Sequence, residues 1–261
     1  MAATATTENS STVRFICKRP VKDAALRLFC FPYAGGGFAT YRQWPDYLPA
    51  NIEVHVLEMP GREARLRDPG FVHVDPLVLA TGEAIKPYLH QPFAFFGHSM
   101  GGLVSFELAR QLRRAHGIEP RALFVSGRPA PQLPVEATTY NLPHDEFIQD
   151  LRHRGGTPEE VLRHEELLEL LLPVLRADFQ LCQTYQYKSE PPLSCRIMAF
   201  GGLGDQFVSR DDLDQWRGQT TGPFQVRMFP GDHFFLHSSQ SLLLQTLSRD
   251  LVQLTTTLSN Q

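Results

Sequence analysis

The chain has 261 residues, 42% of them hydrophobic, enough to bury a substantial core in one large α/β domain or two small ones. Its 25 basic and 28 acidic side chains leave a formal net charge of −3, which excludes the broad positive field that nucleic acid or an anionic membrane surface selects. Cys17, Cys30, Cys182 and Cys195 are widely spaced, with no C-x-x-C pair and no zinc-ligand cluster, and are read as free thiols suited to a reducing cytoplasm.

Residues 1–12 are rich in Ala, Thr and Ser and lack the basic and apolar regions of a signal peptide, so a disordered tail is expected ahead of a single domain at 13–261. Six short runs are apolar at alternating positions on both faces: 26–32 (LRLFCFP), 54–60 (VHVLEMP), 93–97 (FAFFG), 122–127 (ALFVSG), 195–201 (CRIMAFG) and 224–230 (FQVRMFP). Such runs suit parallel strands covered by helices on each side. Helical patterns at 39–48, 74–89, 100–116 and 210–219 fall between them, and a last one at 241–254 places Leu243, Leu244, Leu247, Leu251 and Leu254 on a helical period. The alternation predicts an α/β chain with a mostly parallel central sheet and right-handed crossovers. The longest uncharged apolar stretch, 93–106, is too short and glycine-rich to span a bilayer.

One connection is far longer than a crossover needs. Between the strands at 122–127 and 195–201 the chain carries helical patterns near 143–154 and 158–185, punctuated by Gly155, Gly156 and Pro158, with Pro173 as an expected break or kink. The segment at about 134–190 is read as a helical lid docked over the active edge of the sheet, with the apolar face of 167–179 roofing a chamber and moving to admit substrate.

Gly97-His98-Ser99-Met100-Gly101 has the G-x-S-x-G pattern, directly after an apolar strand and directly before a helix. That setting predicts a tight turn that exposes the Ser99 hydroxyl at the carboxyl edge of the sheet, beside a helix N-terminus. His98 is expected to pack or hydrogen-bond beside the turn rather than act as the base. The acid and base of such a site follow later strands in the order Ser, Asp, His. Asp205 in GGLGDQFVS and His233 in PGDHFF meet that order. Asp211, Asp212 and Asp214 read instead as helix-capping charges, Asp232 as pointing elsewhere, and His237 as four residues from His233 without the remaining ligands of a metal site. No metal is expected. An oxyanion needs two N–H donors: Met100, after the nucleophile, and one from the loop FPYAGGG, where Ala34 is favoured and Gly35 is the alternative.

The ordered set CFPYAGGG, MPGRE, FFGHSMGG, LFVSGRPAP, FGGLGDQFV and FPGDHFFL, from Arg27 to about Leu236, resembles the type II (external, editing) thioesterases that accompany polyketide synthases and nonribosomal peptide synthetases, which have the α/β-hydrolase fold. The resemblance implies a triad of Ser99, Asp205 and His233, oxyanion donors at Met100 and Ala34, and hydrolysis of acyl thioesters stalled on the phosphopantetheine arm of a carrier protein. It implies no cofactor of the chain's own, a monomer in the cytoplasm, and acyl or peptidyl carrier domains as partners, with Arg62, Arg65 and Arg67 as candidates to meet their acidic surface. An oxyester hydrolase with the same triad and a silent binding scaffold of the same fold are the alternative readings.

Overall fold

Seven strands form the sheet: β1 (Arg14–Ile16), β2 (Leu26–Phe31), β3 (Ile52–Glu58), β4 (Phe93–His98), β5 (Ala122–Ser126), β6 (Arg196–Gly202) and β7 (Phe224–Phe229), in the order β1-β3-β2-β4-β5-β6-β7. All neighbours run parallel except β1, which pairs antiparallel with β3. The helices are α1 (Val74–Ile85), α2 (Met100–His116), α3 (His144–Arg154), α4 (Glu159–Arg163), α5 (Glu165–Gln183), α6 (Arg210–Asp214), α7 (Phe235–Ser238) and α8 (Gln240–Ser259). This computed structural model describes residues 12–135 and 138–259, so the expected tail, Thr12 apart, lies outside the described residues. No helix among them is long and apolar enough to cross a membrane.

The period of two sorts the core into two layers. Phe95, Leu123, Val125, Ile197 and Ala199 face one way and pack with Leu103, Phe106 and Leu108 of α2 and Leu77 and Ile85 of α1. Ala94, Phe96, Ala122, Phe124, Met198 and Phe200 face the other way, against Leu243, Leu244, Leu247 and Leu251 of α8. The central strands are therefore buried on both faces, as parallel strands require.

Local differences from the sequence expectation have local causes. The expected helix at 39–48 is two 3-10 turns, Phe38–Tyr41 and Trp44–Asp46, because Pro45 offers no N–H to continue a helix and Tyr41 and Trp44 are both turned into the core. α1 stops at Ile85 and gives way to a 3-10 turn at Lys86–Tyr88 around Pro87. The 210–219 pattern splits into α6 and a 3-10 turn at Gln215–Gln219. In the insertion the break falls at His164, whose side chain caps α5 by accepting the Leu167 N–H, whereas Pro173 lies inside a continuous α5.

Phe200 is fully buried and its ring meets those of Phe96, Phe124 and Phe229. Phe200→Ala is expected to destabilise the fold by about 3–5 kcal/mol, read as a lower denaturant midpoint at unchanged m-value; a loss under about 1 kcal/mol would show that this layer does not carry the sheet.

Candidate active site

Loops leaving the carboxyl ends of β2, β4, β5, β6 and β7 line one cavity of about 720 Å³, with Ala34, Ser99, Gly127, Phe207 and His233 in its wall. This is the edge where open parallel sheets gather their ligands. Leu175 and Phe179 of α5 complete the wall. They belong to the segment expected to form the roof, but its first half does not contribute: Leu167 and Leu170 are exposed, and Leu168 and Leu172 pack on Phe147, Leu151 and Leu162 of the insertion itself.

Ser99 joins β4 to α2 with φ 51° and ψ −111°, a conformation that costs an L residue strain. The bend demands two close approaches. A Cβ on Gly97 would lie 2.1 Å from the Gly101 carbonyl oxygen, and one on Gly101 would lie 2.0 Å from the Phe31 carbonyl oxygen. The Ser99 N–H donates to the Ser126 carbonyl at 2.7 Å, fixing the turn to β5. Met100 opens α2, so its N–H belongs to the first turn and has no acceptor within the helix.

His233 Nδ1 lies 2.8 Å from Asp205 Oδ2. The carboxylate can only accept, so the imidazole donates from Nδ1 and keeps Nε2 for other partners. Asp205, its side chain fully buried, is oriented by two further donors to Oδ1, the N–H groups of Phe207 at 2.9 Å and Val208 at 3.2 Å. The competing acids are occupied elsewhere: Asp212 forms a capping box with Ser209, and Asp232 Oδ1 accepts the Phe234 N–H at 2.8 Å. His237 Nε2 meets the Tyr33 hydroxyl at 3.0 Å.

The Gly35 N–H, the alternative oxyanion donor, is committed to Asp178 Oδ2 at 2.7 Å. Ala34 remains in the cavity wall. His98 is buried beside the turn, with Nδ1 2.9 Å from Ser126 Oγ and its ring 5.2 Å from that of His233. Burial, with the neighbouring His233 and His237 adding to it, pushes its imidazole well below the usual histidine range. Cys182 also lines the cavity, but burial pushes its thiol up to about 11, so it stays protonated at neutral pH. All four cysteines are free.

Sequence reading missed several neighbours of the site. Tyr33, Phe207 and Phe234 line the cavity, and each sits within two residues of Ala34, Asp205 or His233, which is the signal that locates them. Arg128 and Arg154 bring guanidinium groups to the same wall, Arg154 paired with Asp150 at 2.8 Å. Arg62, expected at the surface, is buried against Asp178, and Arg65 is paired with Asp68, so Arg62 does not offer a docking charge. Among the described residues the side chains with metal-ligand proximity are elsewhere, Cys17 with Glu53 and His55 of β3; that carboxylate already accepts Arg27 at 3.0 Å and His55 at 2.6 Å.

The sequence profile described as "Thioesterase domain" matches residues 26–251. The chain belongs to the thioesterase domain family. It is 47% identical over 229 residues to the gramicidin S biosynthesis protein GrsT of Aneurinibacillus migulanus, covering 87% of this chain and 90% of that one. Among solved structures the thioesterase superposes on the RedJ thioesterase of the prodiginine pathway in Streptomyces coelicolor with a TM-score of 0.82 at 36% identity, covering 89% of this chain and 91% of that one. The type II thioesterase BorB of the borrelidin cluster gives 0.82 at 34%, covering 92% and 97%. The thioesterase therefore shares both the α/β-hydrolase fold and the family expected from its motifs.

Two measurements test the site's physics. Because the turn forces a positive φ on residue 99, Ser99→Gly is expected to be more stable than Ser99→Ala by about 1 kcal/mol, the reverse of the order in a helix interior; Ala the more stable of the two would refute backbone strain at the turn. Because His98 is held neutral when folded, the unfolded chain alone takes up its proton as pH falls below about 6.5, and stability drops on that side. His98→Asn is expected to lose about 1 kcal/mol less than wild type between pH 6.5 and 5.5, measured by urea unfolding; parallel losses would place a charged or exposed imidazole at position 98.

Proposed function

We propose that this thioesterase hydrolyses stalled or aberrant acyl groups from the phosphopantetheine arm of carrier domains in polyketide or nonribosomal peptide assembly, returning the arm to its free thiol. The observation that carries the reading is the His233–Asp205 pair, which leaves Nε2 beside a cavity that also holds Ser99 on a strained turn. Relatives and structural neighbours named as a gramicidin S biosynthesis protein and as thioesterases of the prodiginine and borrelidin pathways support the substrate class.

In this mechanism Ser99 Oγ attacks the thioester carbonyl as His233 Nε2 takes its proton. The N–H groups of Ala34 and Met100 stabilise the oxyanion, and Asp205 holds the imidazole tautomer and the charge it gains. Collapse expels the pantetheine sulfur, which leaves readily because a thiol has a pKa of about 8.5, and His233 returns the proton to it. Water, deprotonated by the same imidazole, then attacks the acyl-Ser99 ester and releases the acid. A cavity of about 720 Å³ has room for an acyl chain and the end of the arm. The reaction as written uses no metal or prosthetic group, and we place the enzyme in the cytoplasm as a monomer serving carrier domains.

The test is mass spectrometry of carrier protein loaded with acetyl, hexanoyl and aminoacyl groups. Wild type is expected to restore the free thiol, Ser99→Ala to leave the carrier loaded, and Asp205→Asn to lower kcat by about 10⁴-fold. Faster turnover of a matched oxyester than of the thioester, or unchanged unloading by Ser99→Ala, would overturn the assignment.

A further inference from the structure

One buried ion pair ties the insertion to the loop that carries Ala34. Arg62, four residues after β3, is 4% exposed; Asp178, on α5, is 2% exposed. Arg62 Nη2 donates to Asp178 Oδ1 at 2.9 Å and to Oδ2 at 3.1 Å. Arg62 Nε donates to the Pro60 carbonyl at 3.4 Å, and two further bonds of the pair reach the backbone of the loop after β2. Asp178 Oδ2 accepts the Gly35 N–H at 2.7 Å, and Arg62 Nη1 donates to the Gly36 carbonyl at 2.8 Å.

That loop is a four-residue turn closed by the Gly36 N–H on the Tyr33 carbonyl at 2.8 Å, with Gly35 at φ +77°, the value a type II turn requires at its third position. Ala34 is the second position. Its N–H shares a trans peptide plane with the Tyr33 carbonyl and points the opposite way. Whatever fixes the turn therefore fixes the direction of the Ala34 N–H. α5 presses on the same turn: a Cβ at Gly35 would come within 2.6 Å of Leu175 Cδ2, and Leu175 itself lines the cavity.

We propose that Arg62 and Asp178 are positioning residues for hydrolysis: they hold the turn so that the Ala34 N–H is aimed where the oxyanion forms, and they keep the Gly35 N–H turned out of the site. This rests on the reading of Ala34 as an oxyanion donor. It follows that the oxyanion hole is complete only while α5 is seated, because half of the clamp is carried by the insertion. Neither side chain touches substrate, so their loss acts on the transition state and leaves ground-state binding largely alone.

The experiment compares wild type with Asp178→Ala, Asp178→Asn and Arg62→Lys on one acyl-carrier thioester. A fluorophosphonate, reacted to completion at Ser99, counts correctly folded sites so that kcat is expressed per labelled site. Affinity for an alkyl boronic acid, whose tetrahedral adduct places an oxygen in the hole, is measured alongside. Loss of one oxyanion donor costs about 10²–10³-fold in kcat; misaiming it through Asp178→Ala is expected to cost about 30-fold or more, with KM within twofold and boronate affinity falling in step with kcat/KM. Asp178→Asn, which keeps an acceptor for the Gly35 N–H, is expected to lose less. Should Asp178→Ala yield no labelled sites, Asp178→Asn and Arg62→Lys decide, each expected to lower kcat and boronate affinity together. If kcat per labelled site stays within threefold of wild type while only thermal stability or the labelled fraction falls, the pair is merely structural and the inference is overturned. Wild type that fails to unload the carrier, or a Ser99→Ala variant that succeeds, would instead defeat the assignment on which it rests.

Discussion

The site depends on one steric constraint, the closeness with which the Ser99 turn packs on the end of β2. The Gly101 position leaves no room for a side chain above the Phe31 carbonyl, and β2 and β4 are locked side by side with Phe31 opposite Gly97. The Ser99 turn and the loop that begins at Pro32 are therefore not two independently placed parts. Moving one by an ångström moves the other, because the contact between them is backbone on backbone and has no rotamer to yield. The cost is strain at Ser99, and the dense layers on both faces of β4 sustain it.

Charge is arranged with the same economy. In the mechanism we propose, the base becomes an imidazolium, which needs a negative neighbour and no positive one. His233 has the first in Asp205, whose carboxylate accepts three donors that keep it from turning away. The nearest imidazole, His98, adds no positive charge to it, because burial keeps that ring neutral. The His98 ring is thus more than packing: a charged group 5.2 Å away would oppose a proton on His233. Arg154 lies in the same wall with its charge already balanced by Asp150.

The parts of this chain that were legible in its sequence are those whose side chains repeat with a period or whose chemistry forces a spacing. The six parallel strands announce themselves through two-sided apolar runs, and α2 and α8 through their leucines. Ser99 could be placed on its turn, and Asp205 and His233 in loops at the same sheet edge, because a tight turn needs glycines at fixed offsets and the later loops follow strands in a fixed order. What escaped has no such signature. β1 is three residues long and is held by pairing with Glu58, Leu57 and Val56, partners 40 to 44 residues away. The turns around Tyr41 and Trp44 carry a helix-like pattern because their aromatics are buried, but Pro45 forbids the helix. Arg62 looked like a surface charge since arginine usually is one, and nothing near it in the sequence points to Asp178, 116 residues on.

That buried pair also explains how the insertion is divided. Before Pro173, α5 packs on α3 and α4 and shows Leu167 and Leu170 to solvent; after it, the helix turns Leu175, Asp178 and Phe179 toward the catalytic loops. A buried ion pair adds little stability over apolar residues of the same size, because desolvating both charges cancels most of their attraction. Its distinctive property is intolerance of misplacement: if α5 slides, two charges and two backbone groups lose their partners together in a dry interior. An apolar contact would permit a graded shift, whereas this one has a single register. The half of α5 that borders Ala34 is thereby held to one position.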